Sequence, residues 1–294
     1  MKALLLICAA ALAFTGPAKA DFTEALLDKY KSLTSDLRQN QFKRSLVLSS
    51  TESPNRVAGD IHAVVDYPFE TLRTNLNSPQ HWCDVISLHS NTKYCRSMPA
   101  PAGSKLIIHI GTKTPEELSR AGRLEFDYRT LVATPEYLSV LLNARAGPLG
   151  TSNYQISLEA IPLPNRQSFL HLTYSYNVSV VGRIAMQAYL ATGGRGKVGF
   201  TVVGQRPNGE PDYVGGVRGV VERNTMRYYL AIDAFLGSIA FPAAAQFEQR
   251  LHSWFAATER YPLQLHEMES AEYLTMKRAE RVREQTVAPE DSGR

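Results

Sequence analysis

Apolar residues recur at two different periods along this chain, and the changes of period divide it into segments. Phe22, Leu26, Leu27, Tyr30 and Leu33 fall at helical spacing and predict a short amphipathic helix over 22–38. Residues 44–50 and 56–66 read as strands separated by the turn signal Ser53-Pro54-Asn55, and Tyr67-Pro68-Phe69 ends the second and opens a helix over 69–76. A further helical piece surrounds Trp82 and Val85.

From Tyr94 the period is two. Strands are predicted at 92–97, 105–111, 123–132, 137–145, 154–161 and 168–176, with a helical insert where Thr114-Pro115-Glu116-Glu117 forms a capping box. Leu124, Phe126, Tyr128 and Val132 alternate with charged neighbours, as do Tyr154, Ile156 and Leu158 and then Leu170, Leu172, Tyr174 and Tyr176 with polar ones. Strands of this kind in succession make an antiparallel meander with one buried and one wet face.

The next segments are a helix over 181–191 and a strand over 197–203. The Asn208-Gly209 hairpin signal predicts that 212–221 pairs back on that strand. The longest helix is expected at 221–239, with Glu222 at its positive end, and another at 243–259 around Phe247, Leu251, Trp254 and Phe255. A charged helical tail runs from about 266, and 286–294 has nothing to bury and reads as disordered.

The first 20 residues change the meaning of the composition. Lys2, an apolar run from Ala3 to Phe14, the Gly16-Pro17 break and an Ala18-Lys19-Ala20 site form a secretory signal, predicting export, with a bacterial periplasm as the fitting compartment. The run is too short to span a bilayer, and Ile7 before Cys8 does not suit lipid attachment. With the leader gone, the formal charge falls from +4 to +2, with 30 Lys+Arg against 28 Asp+Glu, which argues against nucleic acid as a partner. Cys83 and Cys95 are then the two remaining cysteines, and an oxidising compartment favours a disulfide between them over free thiols or a metal site.

Familiar catalytic and cofactor signatures are missing: there is no G-x-S-x-G, no H-E-x-x-H, no phosphate loop and no dinucleotide fingerprint. Gly193-Gly194-Arg195-Gly196-Lys197 reads as a helix-to-strand turn. The seven histidines stand at no ligand spacing, so no metal and no cofactor is expected. The sequon Asn177-Val178-Ser179 matters only in a eukaryotic secretory route. Two features remain: the tyrosine-rich inner face of the meander, and Arg223 and Arg227 one turn apart. The arginines are candidates for binding an anion, or for pairing with sheet carboxylates such as Glu125 or Asp127.

The strand RVAGDIHAVVDYP, its continuation as DIHAVVDYPFETLRTNL, the tryptophan- and cysteine-bearing HWCDVISLHSNTKYC and the long helix 221–239 together resemble the START-like helix-grip superfamily over roughly 45–240. The chain departs from that pattern by its leader, by the insert GRIAMQAYLATGGRGKVGF and by the helices after Pro242. The organisation expected is a signal peptide 1–20, an N-terminal helix 21–44, a START-like domain 45–240, a helical extension 241–285 and the tail 286–294.

The resemblance implies an α+β fold in which a curved antiparallel sheet surrounds a long helix and holds a lipid-like or other hydrophobic molecule. Phe126, Tyr128, Tyr154, Leu172, Tyr174, Tyr176, Met226, Tyr229 and Leu230 would then line the cavity. Which helix face turns inward is left open, because 226–239 is apolar on most sides. Three functions follow: a carrier without chemistry; a cyclase- or hydratase-type enzyme using His171, Tyr174 or Asp233; and an envelope module making transient membrane contact through the 243–259 helix.

Overall fold

The computed structural model describes residues 18–101, 103–191 and 196–286. Most of the expected signal peptide (residues 1–17 of 1–20), most of the glycine-rich turn at 193–197 and the tail beyond Thr286 therefore lie outside the described residues. Two N-terminal helices, α1 (Ala18–Ser32) and α2 (Thr34–Arg38), precede the hairpin β1 (Leu46–Glu52) and β2 (Arg56–Val65). The chain then forms α3 (Phe69–Leu76) and α4 (Pro79–Ile86), followed by six consecutive strands: β3 (Thr92–Ala100), β4 (Gly103–Ile110), β5 (Gly122–Ala133), β6 (Leu138–Ala146), β7 (Thr151–Leu163) and β8 (Gln167–Val178). After these come α5 (Val180–Ala191), the small hairpin β9 (Val202–Gln205) and β10 (Pro211–Tyr213), and the helices α6 (Gly216–Ser238), α7 (Ala243–Thr258), α8 (Pro262–Leu265) and α9 (Ser270–Thr286).

The eight-stranded sheet is antiparallel throughout, in the order β1-β2-β8-β7-β6-β5-β4-β3. The first hairpin thus closes on the last strand of the meander, with Ile61 opposite Leu172 and Gly59 opposite Tyr174. The long helix α6 lies across the inner face. Its first contacts are with β1, β2 and β8, while α7 covers its other side. This is an α+β helix grip, an antiparallel sheet holding one long helix, as the sequence led one to expect. Being held from two sides explains why α6 is buried nearly all round.

A strand backbone and a helix can approach this closely because of one glycine: a Cβ on Gly59 would lie 2.3 Å from Thr225 Oγ1. The inner core runs from Leu46 and Trp82 through Leu142 and Leu158 to Leu230 and Phe235. The Cys83–Cys95 disulfide ties α4 to β3 across 5.3 Å between Cα atoms.

The outer sheet face is not wholly wet. Ile161 and Phe169 point outward and form a second core with Leu26, Leu37 and Tyr137 beneath the N-terminal helices. The 212–221 segment is not a strand. Only Pro211–Tyr213 pairs with β9, and α6 begins at Gly216, five residues before the sequence signal. The valines there suggested a strand, but burial overrides that preference. Gly219 presses so close to the Val214 carbonyl that a Cβ would stand 2.8 Å from it.

Glu222, fully buried, accepts hydrogen bonds from Phe200 N at 2.6 Å, Thr201 N at 2.9 Å and Thr201 Oγ1 at 2.6 Å, and it also holds Ser50. That carboxylate fixes residues 199–201 as a loop where a strand from 197 was expected. The capping box at Thr114 starts only a single 3₁₀ turn, Leu118–Arg120. Glu116 turns back to accept from Thr112 N at 2.6 Å, and β5 begins at once.

Candidate functional site

Between α6 and the strands β4, β5, β7 and β8 the sheet stands away from the helix and leaves a cavity of about 190 Å³. Its sheet side carries four aromatic rings, Phe126, Tyr154, Tyr174 and Tyr176, beside the aliphatic Ile108, Ile110 and Leu124. Tyr154 and Tyr176 stack at 5.0 Å with 19° between planes, and Phe126 meets Tyr154 edge-on at 6.4 Å. The helix side is Val220, Asn224 and Tyr228, one residue per turn, and Met186 of α5 closes one flank. The remaining wall comes from the turn after α4, with His89 and Asn91.

These groups are polar but stripped of water. Burial, reinforced by the neighbouring tyrosines, holds the Tyr174 phenol well above its ordinary range, and burial does the same for Tyr228. His89 is held well below the usual imidazole value, first by burial and then by the charges of Arg227, Lys277 and Lys113. It is neutral at physiological pH. The Tyr176 hydroxyl has no protein hydrogen-bond partner, and the His89 ring is met only by a poorly aligned hydrogen bond with the Asn91 side chain. Buried polar atoms left so are uncommon and call for water or a ligand.

Of the nine residues expected to line the cavity, the structure brings Phe126, Tyr154, Tyr174 and Tyr176 together there. Tyr128 is buried farther along β5, its hydroxyl donating to the Leu76 carbonyl at 3.4 Å, and Leu172 packs in the core beneath α6. Met226, Tyr229 and Leu230 lie on other faces of α6. Tyr229 stacks under the Arg44 guanidinium at 5.3 Å, and Leu230 borders a different groove. His89 and Asn91 were not anticipated, because a turn between helix and strand carries no periodic signal; Asn224 and Tyr228 became identifiable only once the inward face of α6 was known.

The three residues considered for catalysis do not converge. Tyr174 lies in the cavity. His171 is on the outer sheet face, its Nε2 2.9 Å from Asp60 Oδ1 and its Nδ1 3.3 Å from Glu159 Oε2, with its ring stacked on His62 at 4.1 Å. Burial alone would lower the His171 pKa, but the two carboxylates outweigh it and push it up to about 9. His62, buried and facing that charge, falls to about 3. Asp233 belongs to an open groove of about 780 Å³ beside α7, where Arg44 Nη2 bonds it at 2.7 Å and Tyr67 donates at 3.2 Å.

Arg223 and Arg227 are both buried. Arg223 donates to the Val198 carbonyl at 3.2 Å. Arg227 pairs with Glu267, not with Glu125 or Asp127, and donates to Asn224 Oδ1 at 3.2 Å. Glu125 instead meets Lys105 and Arg123, each at 2.9 Å. Glu267, from the α8–α9 connection, also receives Lys113 at 2.5 Å and Lys197 at 4.0 Å. Trp254 stacks on Tyr273 at 5.1 Å inside the core, and Phe247 and Phe255 pack against it, so the α7 stripe is turned inward. Among the described residues no group of histidine, cysteine or carboxylate side chains could hold a metal ion, and no helix is long and apolar enough to cross a membrane.

No family model and no curated protein matches the chain. Solved structures do. Norcoclaurine synthase from Thalictrum flavum aligns with a TM-score of 0.35 at 12% identity, over 50% of this chain and 88% of its own. Human StAR-related lipid transfer protein 5 aligns at 0.32 and 10%, over 58% and 88%. A conserved protein of unknown function from Enterococcus faecalis aligns at 0.33 and 7%, over 72% and 91%. At these scores nothing of their chemistry carries over to this chain.

Proposed function

We propose that the protein is exported by its leader and binds a hydrophobic or amphipathic small molecule in the cavity between sheet and α6, as a carrier without chemistry. The observation that carries this reading is the cavity itself: a concave aromatic space whose polar wall is incompletely hydrogen-bonded, the usual composition of a small-molecule site. Binding would satisfy those atoms and fill volume that otherwise forfeits dispersion contacts. The leader and the disulfide support a location outside the cytoplasm.

Native mass spectrometry of the mature protein, purified from the periplasm of an expressing bacterium, tests the binding half. A non-covalent adduct that is released on denaturation, and is lost in Val220→Phe, is the expected result. A bare polypeptide mass in both proteins, with no small molecule raising Tm, would refute it. Fractionation and N-terminal sequencing test the export half, with Asp21 expected as the first residue.

A further inference from the structure

The cavity has two unlike ends, and together they specify a ligand class. At about 190 Å³ it is slightly larger than the roughly 150 Å³ apolar cavity that accommodates a benzene molecule, and smaller than the roughly 300 Å³ at which drug-sized ligands begin. A sterol or a two-chain lipid does not fit such a space. Its aromatic end is built for a flat ring, which can stack on or meet edge-to-face the Phe126, Tyr154 and Tyr174 rings.

The other end is positive. Asn224 lines the cavity and is held from behind by the Arg227 guanidinium. His89 lines it too, within electrostatic reach of Arg227, Lys277 and Lys113. Each carboxylate among them serves more than one cation. Lys113, Lys197 and Arg227 share Glu267, while Lys93 and Lys277 share Glu280. Cations that share their carboxylates, Lys93, Lys277 and Arg227 buried and Lys113 and Lys197 partly exposed, stand behind a neutral, hydrogen-bonding wall; with Glu284 the further acid near Lys277, this setting favours an acceptor that brings negative charge and disfavours an amine.

We infer that the cavity takes a single-ring aromatic carboxylate, its ring among the tyrosines and its carboxylate against His89 and Asn224. This rests on the reading of the cavity as a binding site, and it adds the size and sign of charge of what enters.

Isothermal titration calorimetry of the full mature protein at pH 7 against benzoate, 4-hydroxybenzoate, benzylamine and palmitate separates the cases. One or both benzoates should bind, at least tenfold more tightly than benzylamine. Asn224→Leu, at a half-buried position, should weaken benzoate at least tenfold while leaving toluene binding within threefold, with circular dichroism confirming the fold. Benzylamine binding as tightly as the benzoates would overturn the inference, as would Asn224→Leu leaving benzoate affinity unchanged. Palmitate binding with both benzoates inert would also overturn it, yet leave the carrier reading intact; failure of all four probes, with no adduct from the periplasm, would remove both.

Discussion

Gly59 of β2 and Thr225 of α6 meet where sheet backbone and helix side chain leave no room for a methyl group: the Cβ of any other residue at 59 would stand 2.3 Å from Thr225 Oγ1 and 3.2 Å from its Cβ. The contact sets how deeply the helix sits in the sheet, and so how much space remains on the other side, where the cavity lies. Gly59→Ala should cost about 1–3 kcal/mol, the usual penalty of overpacking. Thr225→Ala in the same chain should recover part of it, and urea unfolding of the two single variants and the double variant measures the coupling. Additive losses would mean that the two residues do not set the spacing.

The disulfide predicts a redox-dependent stability. It closes a short loop, and Cys83→Ala with Cys95→Ala should lower stability by about 3 kcal/mol in the chain-entropy account. Both half-cystines are buried, so thermal unfolding with and without dithiothreitol should differ only after prolonged incubation with the reductant.

A buried charge cluster holds the last helix. Lys93 and Lys277 converge on Glu280 at 3.1 and 2.7 Å, all three nearly inaccessible to solvent, and burial depresses the Lys277 pKa. Glu280→Leu alone leaves two ammonium groups without their shared carboxylate and should cost about 3–5 kcal/mol. Replacing the three together by Met, Met and Leu should restore most of that loss. Urea denaturation midpoints of both variants decide it.

The stacked histidines on the outer face predict a pH optimum of stability. His62, held down to about 3 in the fold, binds its proton more readily when unfolded, so stability rises as pH climbs towards about 6.5. His171, held up to about 9, keeps its proton better when folded, so its contribution is complete below about 6.5 and is lost as pH rises towards 9. Unfolding free energies measured from pH 5 to 9 should therefore peak near neutrality. His171→Gln should flatten the alkaline limb.

Much of the fold was legible in the chain because its strands alternate cleanly. Phe126, Tyr154, Tyr174 and Tyr176 announced an inner face by period alone, and α3 was found to the residue by its proline start. What escaped notice lacked a period. Val217 and Val221 looked like strand because only the tertiary grip makes them helix, and Glu222 looked like a dipole-stabilising charge when it is the clamp on Phe200 and Thr201. His89 sits in a turn, and Glu267, the partner of Arg227, in a connection between helices, places where no sequence pattern marks an inward side chain. His171 was placed on the correct strand, but its ties to Asp60 and Glu159 depend on the registers of β2 and β7 beside β8.

The polar wall of the cavity is assembled from opposite ends of the chain. His89 is packed by Trp254 at 6.2 Å, Trp254 by Tyr273, and Tyr273 donates at 2.8 Å to the Leu88 carbonyl, 185 residues earlier. During synthesis, then, the sheet can form while the wall around His89 is still open, and the site is finished only when the last helix arrives.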